Sequence, residues 1–222
     1  MENRMKKSHL LLALMLFVPL AFGQLVPKFG LGVNAGVALP SGDMGDMYKT
    51  GIGGSVTLVL PIPFPVELSA SIGYYRFGFN SDHFNEQLKL AGSSKTFDVD
   101  APLSLIPITA NARYYFVPVG VRPYAEVTAG VGIASLKSVY LESTSGGSAS
   151  LKTDDVSETK QFFTVGAGVL IGVGIVADLD INVKYAILGQ KFSQAMASGN
   201  TLTYSESNGS FLGINAGLRF KL

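Results

Sequence analysis

Residues 211–222 read FLGINAGLRFKL, and their alternation sets the architecture. Leu212, Ile214, Ala216, Leu218, Phe220 and Leu222 form a wholly apolar face. Phe211, Gly213, Asn215, Gly217, Arg219 and Lys221 form the other, which is small or polar after its first residue. A period of two describes a β-strand with one apolar side. One such strand cannot bury its own apolar face, so it predicts neighbours of the same kind.

Seven further stretches carry this period. They run from about 28–39, 51–60, 66–79, 105–116, 123–136, 161–173 and 178–189. Pro and Gly mark their ends, as at Pro40 to Gly42 and in the stiff Pro61 to Pro65 turn. The connections alternate long and short along the chain, which places all short turns at one end. The pattern predicts an all-β protein, an eight-stranded antiparallel up-and-down transmembrane β-barrel. The longer polar connections, about 80–98, 137–160 and 189–209, would lie on the outer side as loops.

Composition agrees with a membrane setting. Hydrophobic residues make up 47% and charged residues 15%, against roughly 25% charged in soluble domains. Mean hydropathy is +0.33. Beyond the N-terminus, the apolar positions are interrupted at every second residue, which excludes a spanning helix of ~20 apolar residues.

Residues 1–23 have the form of a secretory signal peptide. Arg4, Lys6 and Lys7 precede the apolar run Leu10 to Leu20, and Ala21-Phe22-Gly23 offers small residues for cleavage. Residues 24–222 would then be the barrel domain. Its removal leaves 14 basic and 15 acidic residues, a near-neutral balance that does not suit a nucleic-acid binder. The chain has no Cys, so disulfides and thiol chemistry are absent.

Alternation alone does not say which face is outside, because a soluble lipocalin-like carrier would turn the apolar face inward. The second face answers this. It is mainly Gly, Ser, Thr and Asn, with few charges, and so suits a narrow interior better than a soluble exterior. Its charged residues are Glu67, Arg113, Glu126, Asp178, Asp180, Lys184, Arg219 and Lys221. Eight strands enclose an interior that side chains can fill. Buried charges must pair, so Glu67, Arg113, Glu126, Asp180, Lys184 and Arg219 are expected to form a structural network across the lumen. Inward glycines would leave room for Tyr75, Tyr115 and Tyr124.

On the apolar face, Phe29, Tyr114, Phe116 and Phe220 fall near the short-turn end and Tyr74 and Phe163 near the other. Two such groups are the aromatic girdles of a barrel in lipid. Arg76 continues the apolar phase two residues beyond Tyr74. At the bilayer midplane it would cost roughly 2–4 kcal/mol, so it is expected above the girdle at headgroup level.

Catalytic signals are weak. His83 is the only His outside the signal-like segment and lies in a loop. The Gly166 to Gly174 run lacks the Lys-Ser/Thr and helix of a phosphate loop. Asp43 with Asp46, and Asp154 with Asp155 and Glu158, lack calcium-loop spacing. No enzyme activity, cofactor or metal is expected.

Three segments carry a family resemblance: Gly36-Val-Ala-Leu-Pro-Ser-Gly-Asp43, Ala112-Arg-Tyr-Tyr-Phe116 and Gly217-Leu-Arg-Phe220. Over about residues 25–222 the chain resembles small outer-membrane β-barrel proteins of the OmpA/OmpX type, within the outer-membrane β-barrel domain family. The resemblance implies location in the bacterial outer membrane. It also implies contact with its lipid and lipopolysaccharide, and a terminal strand read by the barrel-assembly machinery. Here that strand ends on Leu222 rather than the usual Phe. The expected role is structural or surface-interacting, with an extracellular ligand contacted through the loops and a filled lumen. A small pore or transporter is the alternative.

Overall fold

The computed structural model describes residues 29–60, 62, 65–90, 97–136, 140–143, 156–174, 176–198 and 201–221. The signal-like segment, residues 1–23, lies outside them. The chain forms β1 (Gly30–Ser41), α1 (Asp43–Met47), β2 (Gly51–Leu60), β3 (Val66–Phe77), α2 (Ser81–Leu90), β4 (Phe97–Asp100) and β5 (Leu103–Tyr115). It continues through β6 (Val121–Leu136), β7 (Tyr140–Ser143), β8 (Val156–Val173), β9 (Ala177–Ser198) and β10 (Thr201–Lys221).

Eight of these strands close a barrel in the order β1-β10-β9-β8-β6-β5-β3-β2, with antiparallel pairing throughout. The terminal strand meets the first along its whole length, from Gly30 opposite Lys221 to Ser41 opposite Ser210. Closure matters because lipid offers no partner for the unpaired N–H and C=O groups of a free edge. β4 and β7 form a separate two-stranded sheet built from two of the long connections.

The apolar face points outward. Val33, Ile52, Ile72, Ile108, Val127, Val165, Ile181 and Ile214 are all exposed on the barrel surface. A soluble carrier with its apolar face inward is therefore excluded. Phe29, Tyr74, Tyr114, Phe116, Phe163 and Phe220 are also exposed. The Tyr114 and Phe116 rings meet edge to face at 5.5 Å. Arg76 is exposed on this outer face, paired in register with Ile52 and Ser104 near the loop end of the barrel.

The long connections differ most from the sequence reading. Residues 81–90 form a helix inside the segment read as polar loop. Strand β8 starts at Val156, five residues before the expected start at 161. Pairing of β9 with β10 continues from Asn208–Lys191 to Thr201–Ser198, through most of the expected 189–209 loop. This part of the hairpin runs past the last barrel pairs, Ser41–Ser210 and Phe162–Leu188. Backbone hydrogen bonds can extend a hairpin without an apolar face once the strands leave lipid. Thr201, Thr203 and Tyr204 there favour a strand, but the apolar positions are too few to mark a membrane crossing.

Candidate functional site

The barrel interior holds two layers of different chemistry. At the short-turn end, register aligns the charges. Glu67, Arg113 and Glu126 lie opposite one another across β3, β5 and β6. Next in the row come Gly166 on β8 and Lys184 on β9. A Cβ on Gly166 would crowd the Lys184 stem, so the glycine lets Lys184 reach back across β8 to Glu126. Arg113 joins Glu126 through Nε and Asp180 through Nη1 at 2.7 Å.

Tyr124 donates its hydroxyl hydrogen bond to Asp180 and lies under the Arg113 guanidinium, 4.3 Å from ring centroid to Cζ. It fits because Gly168 faces it across the strand pair. Arg219 binds Glu67 and donates to the Tyr115 hydroxyl at 2.6 Å, which in turn donates to Glu67 at 2.9 Å. Asp178 accepts from Arg122 at 2.7 Å and from Lys221 at 2.9 Å. Arg113, Glu126 and Asp178 are at most 5% exposed. Removal from water costs several kcal/mol per isolated ion, and the geometry offsets that by giving every one of these carboxylates at least one cation.

The six lumen residues singled out in the sequence thus meet in one connected region, with Asp178 and Lys221 beside them. Sequence reading missed Arg122. It shares the parity of Tyr124 and Glu126, and starting the strand at Val121 would have included it.

Above this layer lies a belt of neutral polar groups. Asn111 donates to Ser69 and Ser71 hydroxyls, each at 3.1 Å, and accepts from Thr128 at 3.0 Å. Nearer the loops the lumen turns apolar. Phe77, Leu103, Leu105, Phe162, Leu188 and Phe211 pack together, buried. The Phe211 ring stands 5.3 Å from Tyr75 and 5.4 Å from Phe77, centroid to centroid. Tyr75 occupies the space that Gly53, its cross-strand neighbour, leaves free.

The first long connection packs against this apolar cluster. Gly42 turns the chain at φ +59°, a conformation that suits glycine. α1 then places Met44, 1% exposed, and Tyr48 against the apolar cluster. Burial pushes the Tyr48 hydroxyl up to about 12. This layer was not legible in advance, although Phe211 already stood out as the one large apolar residue on an otherwise small or polar face.

Residues 8–220 match the family described as outer membrane protein beta-barrel domain. The chain belongs to this family. No curated protein matches. Among solved structures, the barrel is similar to Neisserial surface protein A at 21% identity and TM-score 0.54, covering 87% of this chain and 97% of that one. It is also similar to a major outer membrane protein from Thermus thermophilus at 13% identity and TM-score 0.56, covering 89% and 100%. At these identities the likeness is one of fold. Together with the outward apolar belt, the family places this protein in the bacterial outer membrane.

Proposed function

We propose that this outer-membrane barrel is a closed, non-conducting scaffold that works through its extracellular surface. One observation carries the reading: salt bridges link strands across the lumen at one end, and an apolar cluster with Met44 on top fills the other. A continuous aqueous path needs both layers to part. The elements beyond the barrel, the β9–β10 hairpin extension, α2 and the β4–β7 sheet, come from the long connections and supply the surface in this reading. Binding surfaces sit on such connections because the scaffold holds them while they vary.

In this reading the barrel's own partners are lipid, lipopolysaccharide and the assembly machinery, and its outer face supports them. Arg76, exposed at the loop end, is positioned to meet phosphate groups of outer-leaflet lipid or lipopolysaccharide. Phe220 faces outward near the end of the terminal strand, where the assembly machinery would read it. Residues 1–23 serve as the cleaved export signal in this reading. The role is not catalytic, and it uses no cofactor.

Planar-bilayer recording tests closure. The expected result is no large, steady conductance; a stable current of porin size overturns the reading. Deletion of residues 192–207 tests the surface role. It is expected to leave barrel folding intact and to lower adhesion of expressing cells to host or matrix surfaces. Unchanged adhesion, with or without this and the other loop segments, would remove that role.

A further inference from the structure

Pro107 stands in the middle of β5, inside a closed sheet that has no edge strand to accommodate it. Prolines in sheets keep to edges, strand starts and bulges, because the ring removes the N–H that the ladder needs. Pro40 and Pro123 lie near strand ends, and Pro107 does not. Two backbone bonds fix the side on which its N–H is missing. Tyr115 donates to the Pro65 carbonyl on the β3 side, and Phe116 donates to the Pro123 carbonyl on the β6 side. Backbone groups alternate in direction along a strand. Odd-numbered residues of β5 therefore turn theirs toward β3, and Pro107 is one of them.

The β3–β5 ladder breaks at this point. Pairing reaches Ile72–Ile108 and resumes at Tyr75–Leu105, leaving Gly73 and Tyr74 without pairing to Pro107 and Ile106. The register is the same on both sides, so no bulge accounts for the break. Gly73 makes room for the ring, since a Cβ there would stand 3.1 Å from Pro107 Cγ. Ile72, Ile108 and Tyr74 are exposed on the outer face around the break, so it lies in the apolar belt. Backbone groups left without partners in hydrocarbon cost several kcal/mol each. Local rules of this kind are broken at functional or strained sites.

On the lumen side, Gly73 and Pro107 both line a cavity of ≈ 40 Å³, counted as space open to the centres of water molecules. It is not enclosed, and Tyr75, Phe162 and Phe211 give it an apolar wall. In that measure a water takes roughly 10–15 Å³, so the space holds about three heavy atoms. The tip of an acyl chain fits, and a whole lipid does not.

We propose that the Gly73–Pro107 break is a lateral opening in the barrel wall, through which the end of a lipid acyl chain passes between the membrane and the lumen. Ile72, Ile108 and Tyr74 flank the chain outside, and Tyr75 and Phe211 receive it inside. The opening goes beyond the closed-lumen reading and does not compete with it. A side passage joins the lumen to lipid, not one mouth to the other.

Amide exchange of the refolded, unaltered barrel tests the break. The Gly73 N–H points at it and is expected to exchange about tenfold faster than those of Ser71 and Tyr75, which share its direction. Equal protection of the three overturns the break. Photolysis in bilayers that contain a phospholipid with a diazirine at one chain end tests the passage, again without any variant. Adducts are expected on Tyr75 or Phe211 as well as on outward Ile72 and Ile108; adducts confined to outward residues overturn it. A diazirine beside the headgroup is expected to leave the lumen unmarked, and equal marking of Tyr75 by both probes overturns entry by the chain end. Pro107→Val restores the N–H. It is expected to lower the lumen adducts about tenfold and to slow Gly73 exchange, with the outward adducts unchanged. Lumen adducts at full yield in this variant would place the route elsewhere. The two measurements on the unaltered protein decide the matter whether or not the variant folds.

Discussion

The two ends of the lumen hold layers of opposite chemistry. At the short-turn end, Arg113, Glu126 and Asp180 hold one another at fixed geometry, and each is costly to leave alone. At the loop end, Phe77, Phe162, Phe211 and Met44 exclude water without any directional bond. A charged layer is specific and intolerant of partial loss. An apolar layer is graded, because removing atoms costs in proportion to the transfer and cavity left behind.

The largest effect should come from the charged end. Arg113→Ala leaves Asp180 without a cation and Glu126 with Lys184 alone, and breaking such a buried pair costs about 3–5 kcal/mol. Urea unfolding of the refolded barrel measures it; a loss no greater than that of an exposed Arg76→Ala would erase the contrast between the ends. Met44→Ala at the apolar end should cost less, about 2 kcal/mol, since this side chain comes from a short helix at the mouth that can settle into the gap. The same unfolding series checks it, with an unchanged midpoint as the contrary result.

Asp178 probes the charged end in another way. It has two cations, so Arg122→Gln or Lys221→Gln alone should be mild, while the pair should exceed the sum by about 1 kcal/mol. A double-mutant cycle reads this coupling directly. Strict additivity would mean that the two cations do not share the carboxylate.

The smallest effect lies on the roof over the apolar end. Lys49 joins Asp82 of α2 at 2.7 Å, with both groups largely exposed. The hydrogen bond from Lys49 holds the Asp82 carboxyl below its ordinary value. A depressed folded value means the contact stabilises above the unfolded value and is lost as pH falls through the folded one. Lys49→Gln should therefore return the Asp82 titration, followed by NMR, to the ordinary carboxylate range, with no visible change in barrel unfolding. An unmoved titration would show the pair to be inert.

Legibility in the sequence followed the periodicity. Wherever a strand crosses lipid, one face must be apolar and the other must fit a confined interior, so residues such as Ile214 and Asn215 declare their sides. The charges Glu67 and Arg113 could be placed inside by parity. Their partners could not be named, because register between strands depends on tilt and closure. The β9–β10 extension and α2 were missed for a related reason: outside lipid no apolar period is required, and polar sequence is compatible with strand, helix or loop.

Lipid acts on each strand locally, so the amino-acid order alone specifies the number of membrane strands, their direction and the outward face. The folded barrel was needed to show that Gly166 lets Lys184 cross to Glu126, that Met44 packs on the apolar cluster and that Thr164 and Asn215 line one cavity. Each of these depends on which residues of distant strands become neighbours. That is fixed by closing the sheet on itself, a constraint on the whole chain that no single stretch contains.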